Sequence, residues 1–325
     1  MLKNTRLPLC LATGILLAGL ISVPAAKNEA AADPSKVDAD YAFQGEYAGV
    51  LGGQFDVGAQ VIALGGGKFK LVLFPGGLPG AGYDGTAEKR EYEGALDGDK
   101  VTFTGGTTGK SITGGKLTFS RDGQEVSIDR TIRKSPMLGA KPPEGALVLF
   151  DGKSAENFKP GRMTESGLLM QGANSIKKFQ GHKLHIEFRL PYEPTKRGQA
   201  RGNSGCYMQA RYEVQMLDSF GLAGKHNECG GIYTIADPDV NMCLPPLQWQ
   251  TYDIDFTAAK FDKDGKKTAN ARATVRHNGV VIHDNVELPK RTTASPLAEG
   301  PEPGFLHLQD HGNQVRYRNI WVIEK

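Results

Sequence analysis

Three observations predict an all-β chain, with a β-sandwich or jelly roll in the C-terminal half and a small antiparallel β domain before it. Glycine is abundant, at 42 of 325 residues, which suits a chain that turns tightly and often between short strands. Apolar and polar residues alternate with a period of two over many short segments. In the C-terminal half no segment of ten or more residues shows helical periodicity, and a run of strands with turn signals and no helices points to a sandwich. Hydrophobic residues make up 39% of the chain, enough to build cores and to argue against gross disorder.

The N-terminus reads as a signal peptide over residues 1–26. Lys3 and Arg6 supply the positive start, Leu7 to Val23 is almost wholly apolar, and Val23-Pro24-Ala25-Ala26 offers small residues for cleavage. The apolar run is about 17 residues, short of the roughly 20 needed to span a bilayer, so cleavage is favoured over a membrane anchor. Cys10 stands near the start of the run, where a lipoprotein would need it at the end. The expectation is therefore an exported protein, periplasmic, cell-surface or extracellular, with no transmembrane span in the mature chain. The formal charge of +3 falls to +1 once Lys3 and Arg6 are removed. The basic residues are scattered, which argues against a nucleic-acid groove.

Residues 27–40 are Ala-rich and polar and read as a flexible lead-in. A small β domain follows over 41–134. Phe69, Leu71 and Leu73 alternate with their neighbours, and Val101–Thr104, Lys116–Phe119 and Val126–Ile128 are further strands. Asp97-Gly98 and Asp122-Gly123 are hairpin signals. The stretch Pro75 to Gly85, with its Gly-Gly-Leu-Pro-Gly at 76–80, is the one long irregular piece. Residues 135–145, with Pro136, Pro142 and Pro143, read as a linker.

The second domain, 146–325, has stronger strands. Leu184, Ile186, Phe188 and Leu190 oppose His185, Glu187 and Arg189. Tyr212, Val214 and Met216 oppose Arg211, Glu213 and Gln215, and Tyr252, Ile254 and Phe256 oppose Asp253 and Asp255. A hairpin is expected at Asn278-Gly279, and Phe305–His311 and Val315–Ile323 close the domain.

Several sharper motifs fail on their own terms. Thr104 to Ser111 ends like a phosphate loop, but Thr104 stands where the first glycine is required and no βαβ context follows. Asp262-Lys263-Asp264-Gly265 lacks the later ligands of a calcium loop. There is no Gly-x-Ser-x-Gly elbow, no His-Glu-x-x-His helix and no paired Cys–His signature. Of the cysteines beyond Cys10, Cys229 and Cys243 flank one segment and are a disulfide candidate, worth about 3 kcal/mol on loop-closure entropy. Cys206 sits in a strand pattern and reads as a small core residue, and no C-x-x-C spacing supports zinc.

Chemistry is better sought where strand patterns leave functional groups on a sheet face. Glu187 and Arg189 share a face, as do Glu213 and Gln215, and His307, Gln309 and His311; Asn203, Tyr207 and Gln209 come from an adjacent stretch. Such a set of donors and acceptors suits sugar hydroxyls, each of which is both. Asp218 follows the Glu213 strand and would stand at a cleft rim, or cap a turn.

The same residues carry a resemblance. Asn203-Ser204-Gly205-Cys206-Tyr207, Tyr212-Glu213-Val214-Gln215-Met216-Leu217-Asp218, Cys229-Gly230-Gly231-Ile232-Tyr233, Trp249-Gln250-Thr251-Tyr252, Leu308-Gln309-Asp310-His311-Gly312 and Arg316-Tyr317-Arg318-Asn319-Ile320 occur in that order. Over Ala146 to Lys325 the chain resembles the 3-keto-disaccharide hydrolase domain family. The resemblance implies a concanavalin-A-like jelly roll and hydrolysis of glycosides whose sugar carries a 3-keto group. The Glu-x-Asp-x-x-Glu acid pair of retaining glucanases is not evident, so that mechanism does not carry over.

A 3-keto group acidifies the C2 hydrogen and makes the C1 oxygen a β-leaving group, so cleavage can run by proton abstraction, elimination and hydration. That route needs a base, an enolate stabiliser and an acid. The sequence offers Glu213 or His311 as base, Arg189 and Gln309 for the enolate oxygen, and Asp218 or His307 as acid. A divalent metal on Glu213, Asp218 and His311 is an alternative electrophile. The rival readings are a non-catalytic, lectin-like carbohydrate binder and an envelope-associated protein.

Overall fold

The computed structural model describes residues 32–325, so the leader expected over 1–26 and the first part of the lead-in lie outside the described residues. Among the described residues the chain is all-β, with three short 3₁₀ turns at Pro34–Lys36, Ala39–Ala42 and Gly198–Ala200. Among the described residues no helix is long and apolar enough to cross a membrane.

The first half supplies β1 (Gly45–Leu51), β2 (Phe55–Gly65), β3 (Lys68–Pro75), a short pair β4 (Leu78–Pro79) and β5 (Gly82–Tyr83), β6 (Arg90–Asp97), β7 (Lys100–Phe103), β8 (Gly109–Thr113), β9 (Lys116–Arg121) and β10 (Gln124–Thr131). Eight of these close into an antiparallel barrel in the order β1-β10-β9-β8-β7-β6-β3-β2. Tyr47, Val61, Phe69, Leu71, Val101, Ile112 and Leu117 fill its interior, as alternation along each strand dictates. Asp122 and Gly123 both take positive φ, 52° and 78°, the conformation of a tight hairpin turn that matches strand twist.

The second half supplies β11 (Leu147–Phe150), β12 (Phe158–Lys159), β13 (Leu169–Met170), β14 (Ala173–Phe179), β15 (His182–Arg189), β16 (Ser204–Met208), β17 (Tyr212–Met216), β18 (Trp249–Thr257), β19 (Lys260–Phe261), β20 (Lys267–Ala269), β21 (Ala271–His277), β22 (Val280–Leu288), β23 (Gly304–Leu308) and β24 (Arg316–Glu324). One sheet runs β11-β24-β15-β18-β21-β22, with β13 paired to β24; the other runs β12-β14-β23-β16-β17. Their inner faces meet in one core that includes Ile186, Phe188, Tyr252 and Val275 from the first sheet and Cys206, Val214, Met216 and Leu308 from the second. The hairpin between β21 and β22 turns at Asn278 and Gly279, both at positive φ.

The two halves share their cores. Ile62, Val72 and Phe74, on the outside of the barrel, belong to the sandwich core with Phe220 and Met242. In return Tyr192 and Leu247 of the sandwich belong to the barrel core. The Gly-Gly-Leu-Pro-Gly stretch lies at this junction: a Cβ on Gly80, whose φ is +68°, would overlap the Met242 sulfur.

The described part of the lead-in and the linker both make specific contacts. In the lead-in, the Ala32 carbonyl accepts from Arg189 at 2.7 Å. Asp38 accepts from the Tyr192 hydroxyl at 2.8 Å, and Asp40 from the Gly67 amide at 2.9 Å. The linker lies against the outer face of the first sheet. There the Gly139 amide donates to Glu187 at 2.6 Å, and the Ala140 carbonyl accepts from Asn319 at 3.0 Å. Buried backbone groups need such partners, and here side chains of the sandwich provide them.

Candidate active site

The second sheet presents a polar row on its outer face. Strand register sets Asn174 opposite His307, His307 opposite Tyr207, and Tyr207 opposite Glu213. Four strands thus place four functional side chains side by side, because their apolar neighbours Cys206, Val214, Leu306 and Leu308 all point into the core. Beyond Glu213 the Tyr233 amide donates to the Glu213 carbonyl at 3.2 Å, continuing the row past the edge of β17.

The contacts along the row are specific. His307 Nδ1 and Asn174 Oδ1 are 2.6 Å apart, which directs the other ring nitrogen, Nε2, away from Asn174. The Tyr207 and His307 rings are 5.0 Å apart. Tyr207 hydrogen-bonds with Glu213, and Gln309 donates to the Tyr207 hydroxyl at 3.1 Å. The Gln215 side-chain amide lies 2.9 Å from Glu213 Oε1 and 2.7 Å from the Ser204 carbonyl. Its other end lies 3.0 Å from Gln199 Oε1, and Asn203 donates to the Gln199 carbonyl at 2.7 Å. Gly205 is required here: a Cβ would overlap the Glu213 carboxylate.

Burial divides the labour. Loss of water around Glu213, only partly offset by its bond with Tyr207, pushes the carboxyl up to about 8. Burial also raises the Tyr207 phenol. Burial lowers His307 to about 4. At neutral pH the row therefore holds a protonated carboxyl, a neutral phenol and a neutral imidazole, which is a paired acid and base. Asn174, Gln199 and Tyr233 are members that sequence reasoning missed.

Other expected site residues stand elsewhere. Glu187 and Arg189 lie on β15 in the first sheet, so they face the opposite outside of the sandwich; alternation fixes a side chain's side but not its sheet. Burial drives the Glu187 carboxyl up, but bonds from His185, Asn319, the Gly139 amide and Arg318 outweigh this and hold it at about 2. Arg189 stacks over Trp249, 5.1 Å from the ring centre. Gln209 occupies the β16–β17 turn with φ +52° and donates to the Phe179 carbonyl at 3.0 Å. Asp218 is buried in an ion pair with Arg201 at 2.6 Å, at the junction with the barrel. His311 is exposed in the loop after β23.

A divalent metal on Glu213, Asp218 and His311 does not fit this arrangement. Glu213 is engaged by Tyr207, Asp218 by Arg201, and His311 stands in solvent. Among the described residues no three His, Cys, Asp or Glu side chains form a ligand set. Nor does a disulfide join Cys229 and Cys243: the described cysteines are free and buried. Cys243 Sγ donates to the Leu217 and Leu244 carbonyls, both at 3.5 Å, and the Tyr252 hydroxyl lies 3.3 Å from the Cys229 sulfur. Their segment is held without a covalent link, by the Gly230 amide donating to the Gln215 carbonyl and the Gln215 amide to the Gly231 carbonyl, both at 2.9 Å.

Residues 145–323 match the model of the 3-keto-alpha-glucoside-1,2-lyase-like domain. A crystal structure of a "putative glycosyl hydrolase" from Parabacteroides distasonis is 32% identical, covers 56% of this chain and 85% of its own, and superposes with a TM-score of 0.52. Two further structures from the same organism, with the same description, are 19% and 20% identical. They cover 56% and 55% of this chain and 94% and 99% of their own, with TM-scores of 0.41 and 0.40. No curated protein matches the chain.

Proposed function

Since the chain belongs to the 3-keto-alpha-glucoside-1,2-lyase-like domain family through its sandwich, we propose that it cleaves glycosides carrying a 3-keto sugar, with the row from Asn174 to Glu213 as its active site. The observation that carries this reading is the pairing, on one sheet face, of a carboxyl that keeps its proton at neutral pH with an imidazole that does not.

His307, oriented by Asn174, takes the C2 proton. The electron pair moves into the C2–C3 bond and onto the C3 oxygen, giving an enolate that Gln309 can stabilise as a donor. As the enolate collapses, the C1–O bond breaks, and the departing oxygen takes a proton from Tyr207, which Glu213 resupplies. Water then adds at C1, its proton restoring Glu213, and the proton held by His307 returns to C2, so the net reaction is hydrolysis. This exchanges the roles first expected for Glu213 and His307: buried Glu213 holds a proton to give, and His307 a lone pair to accept one. Gln309 keeps its expected role, and Arg189 has none, being on the far face.

The protein is to be incubated with 3-keto-trehalose or a 3-keto-glucoside in D₂O, with and without EDTA. Release of the leaving group with deuterium at C2 is expected, and Glu213→Gln should lower the rate on the order of 10²- to 10⁴-fold. Glycan binding with neither cleavage nor C2 exchange would overturn the reading in favour of a lectin. The leader sequence also supports export, which N-terminal sequencing of the mature protein would test.

A further inference from the structure

The barrel lies outside the residues that match the family, and its contacts suggest what it does. Its β2–β3 hairpin is pressed against the loop 193–203 of the sandwich. Arg197 donates to the Leu64 carbonyl at 3.0 Å and Arg201 to the Ala63 carbonyl at 3.3 Å. Gly65 is packed so closely on the Thr195 methyl that a Cβ could not be accommodated. The same loop carries Gln199, whose side chain reaches in three directions. It donates to the Asn227 carbonyl at 2.7 Å, accepts from Asn203 at 3.1 Å, and meets the Gln215 amide at 3.0 Å. Gln215 in turn contacts Glu213. The segment from Phe220 to Met242, beyond Glu213, is backed in the same way: Gly221 lies against Ile62 and Met242 against Gly80 of the barrel domain.

We propose that the barrel is a positioning domain for the active site: its β2–β3 hairpin backs the loop 193–203, and that loop, through Gln199, holds Gln215 against Glu213. Gln199, Arg197 and Thr195 are then positioning residues, which touch no substrate but keep water from the carboxyl. The inference rests on the reading of Glu213 as the working acid. The other titratable groups near that carboxyl are Tyr207 and Tyr233 on the outer face and the Cys206 thiol beneath.

The test is a substrate-free titration of Glu213 by infrared difference spectroscopy on the full chain, with Glu213→Gln assigning the band. In the double variant Thr195→Gly/Arg197→Ala and in Gln199→Ala, water should reach the carboxyl and its midpoint should fall by about one unit or more. kcat should drop several-fold with KM little changed, and Arg197→Lys should stay near the parent. If the double variant does not fold, Gln199→Ala decides alone. Folded variants that titrate Glu213 as the parent does would overturn the proposal. Because the titration needs no substrate, a mistaken choice of sugar would leave this result intact.

Discussion

Glu213 shows how a single side chain can be set against the stability of its own fold. Its folded pKa of about 8 lies above the ordinary 4.5, so the folded chain binds the proton more tightly than the unfolded one. The stability tied to that proton is fully present below about pH 4.5 and is lost progressively as pH rises to about 8. Glu213→Gln should therefore be more stable than the parent at pH 9, by on the order of a few kcal/mol, and show little advantage at pH 4. Denaturant melts at the two pH values check this; equal differences would place Glu213 in water. The same proton governs the rate. Activity should fall above pH 8 as Glu213 ionises and below pH 4 as His307 takes up a proton. The rows of alternating residues made Tyr207, Glu213, Gln215 and His307 legible in the sequence, because each sits in a short strand with strongly apolar neighbours. Asn174 escaped because β14 continues into the exposed run Ile176-Lys177-Lys178, where no alternation survives. Gln199 escaped because a loop has no period to read.

At the scale of elements, strand type was legible and strand partnership was not. The sequence reveals that His185, Glu187 and Arg189 share a side of β15, but pairing of β15 with β18 and β24 is a long-range choice made by the whole core. That choice turns Glu187 from a site candidate into an anchor for the linker. Its buried carboxylate serves the Gly139 amide, Arg318 and Asn319, at 2.6, 2.6 and 2.9 Å. Glu187→Ala should cost about 1–3 kcal/mol at pH 7, since it removes the acceptor of the Gly139 amide and of Asn319. Because the folded carboxyl is held at about 2, the stability it confers is present above about pH 4.5 and lost as pH falls toward 2. Urea melts of parent and variant at pH 7 and pH 3 should therefore differ less in acid. A gap that stays constant would remove the carboxylate from the account.

The molecule as a whole is two folds with interleaved cores. Two β domains could be read from the turn signals, whereas closure of the first into a barrel could not, because it depends on β1 meeting β10 across the length of the domain. The exchange of Ile62, Val72 and Phe74 for Tyr192 and Leu247 was equally hidden, since an apolar residue on a strand does not announce which core it enters. Shared cores predict shared melting. Calorimetry should give one cooperative transition, and Ile62→Asp, which buries a charge at the junction, should destabilise barrel and sandwich together. Two separate transitions in the parent would show the halves to be independent. Closure of the barrel also settles how this half of the molecule can be recognised. Each of its eight strands already has two hydrogen-bonded neighbours, so its ladder offers no free row of amides and carbonyls for another chain to extend. A partner cannot join it by adding a strand, and can read only its side chains and loops.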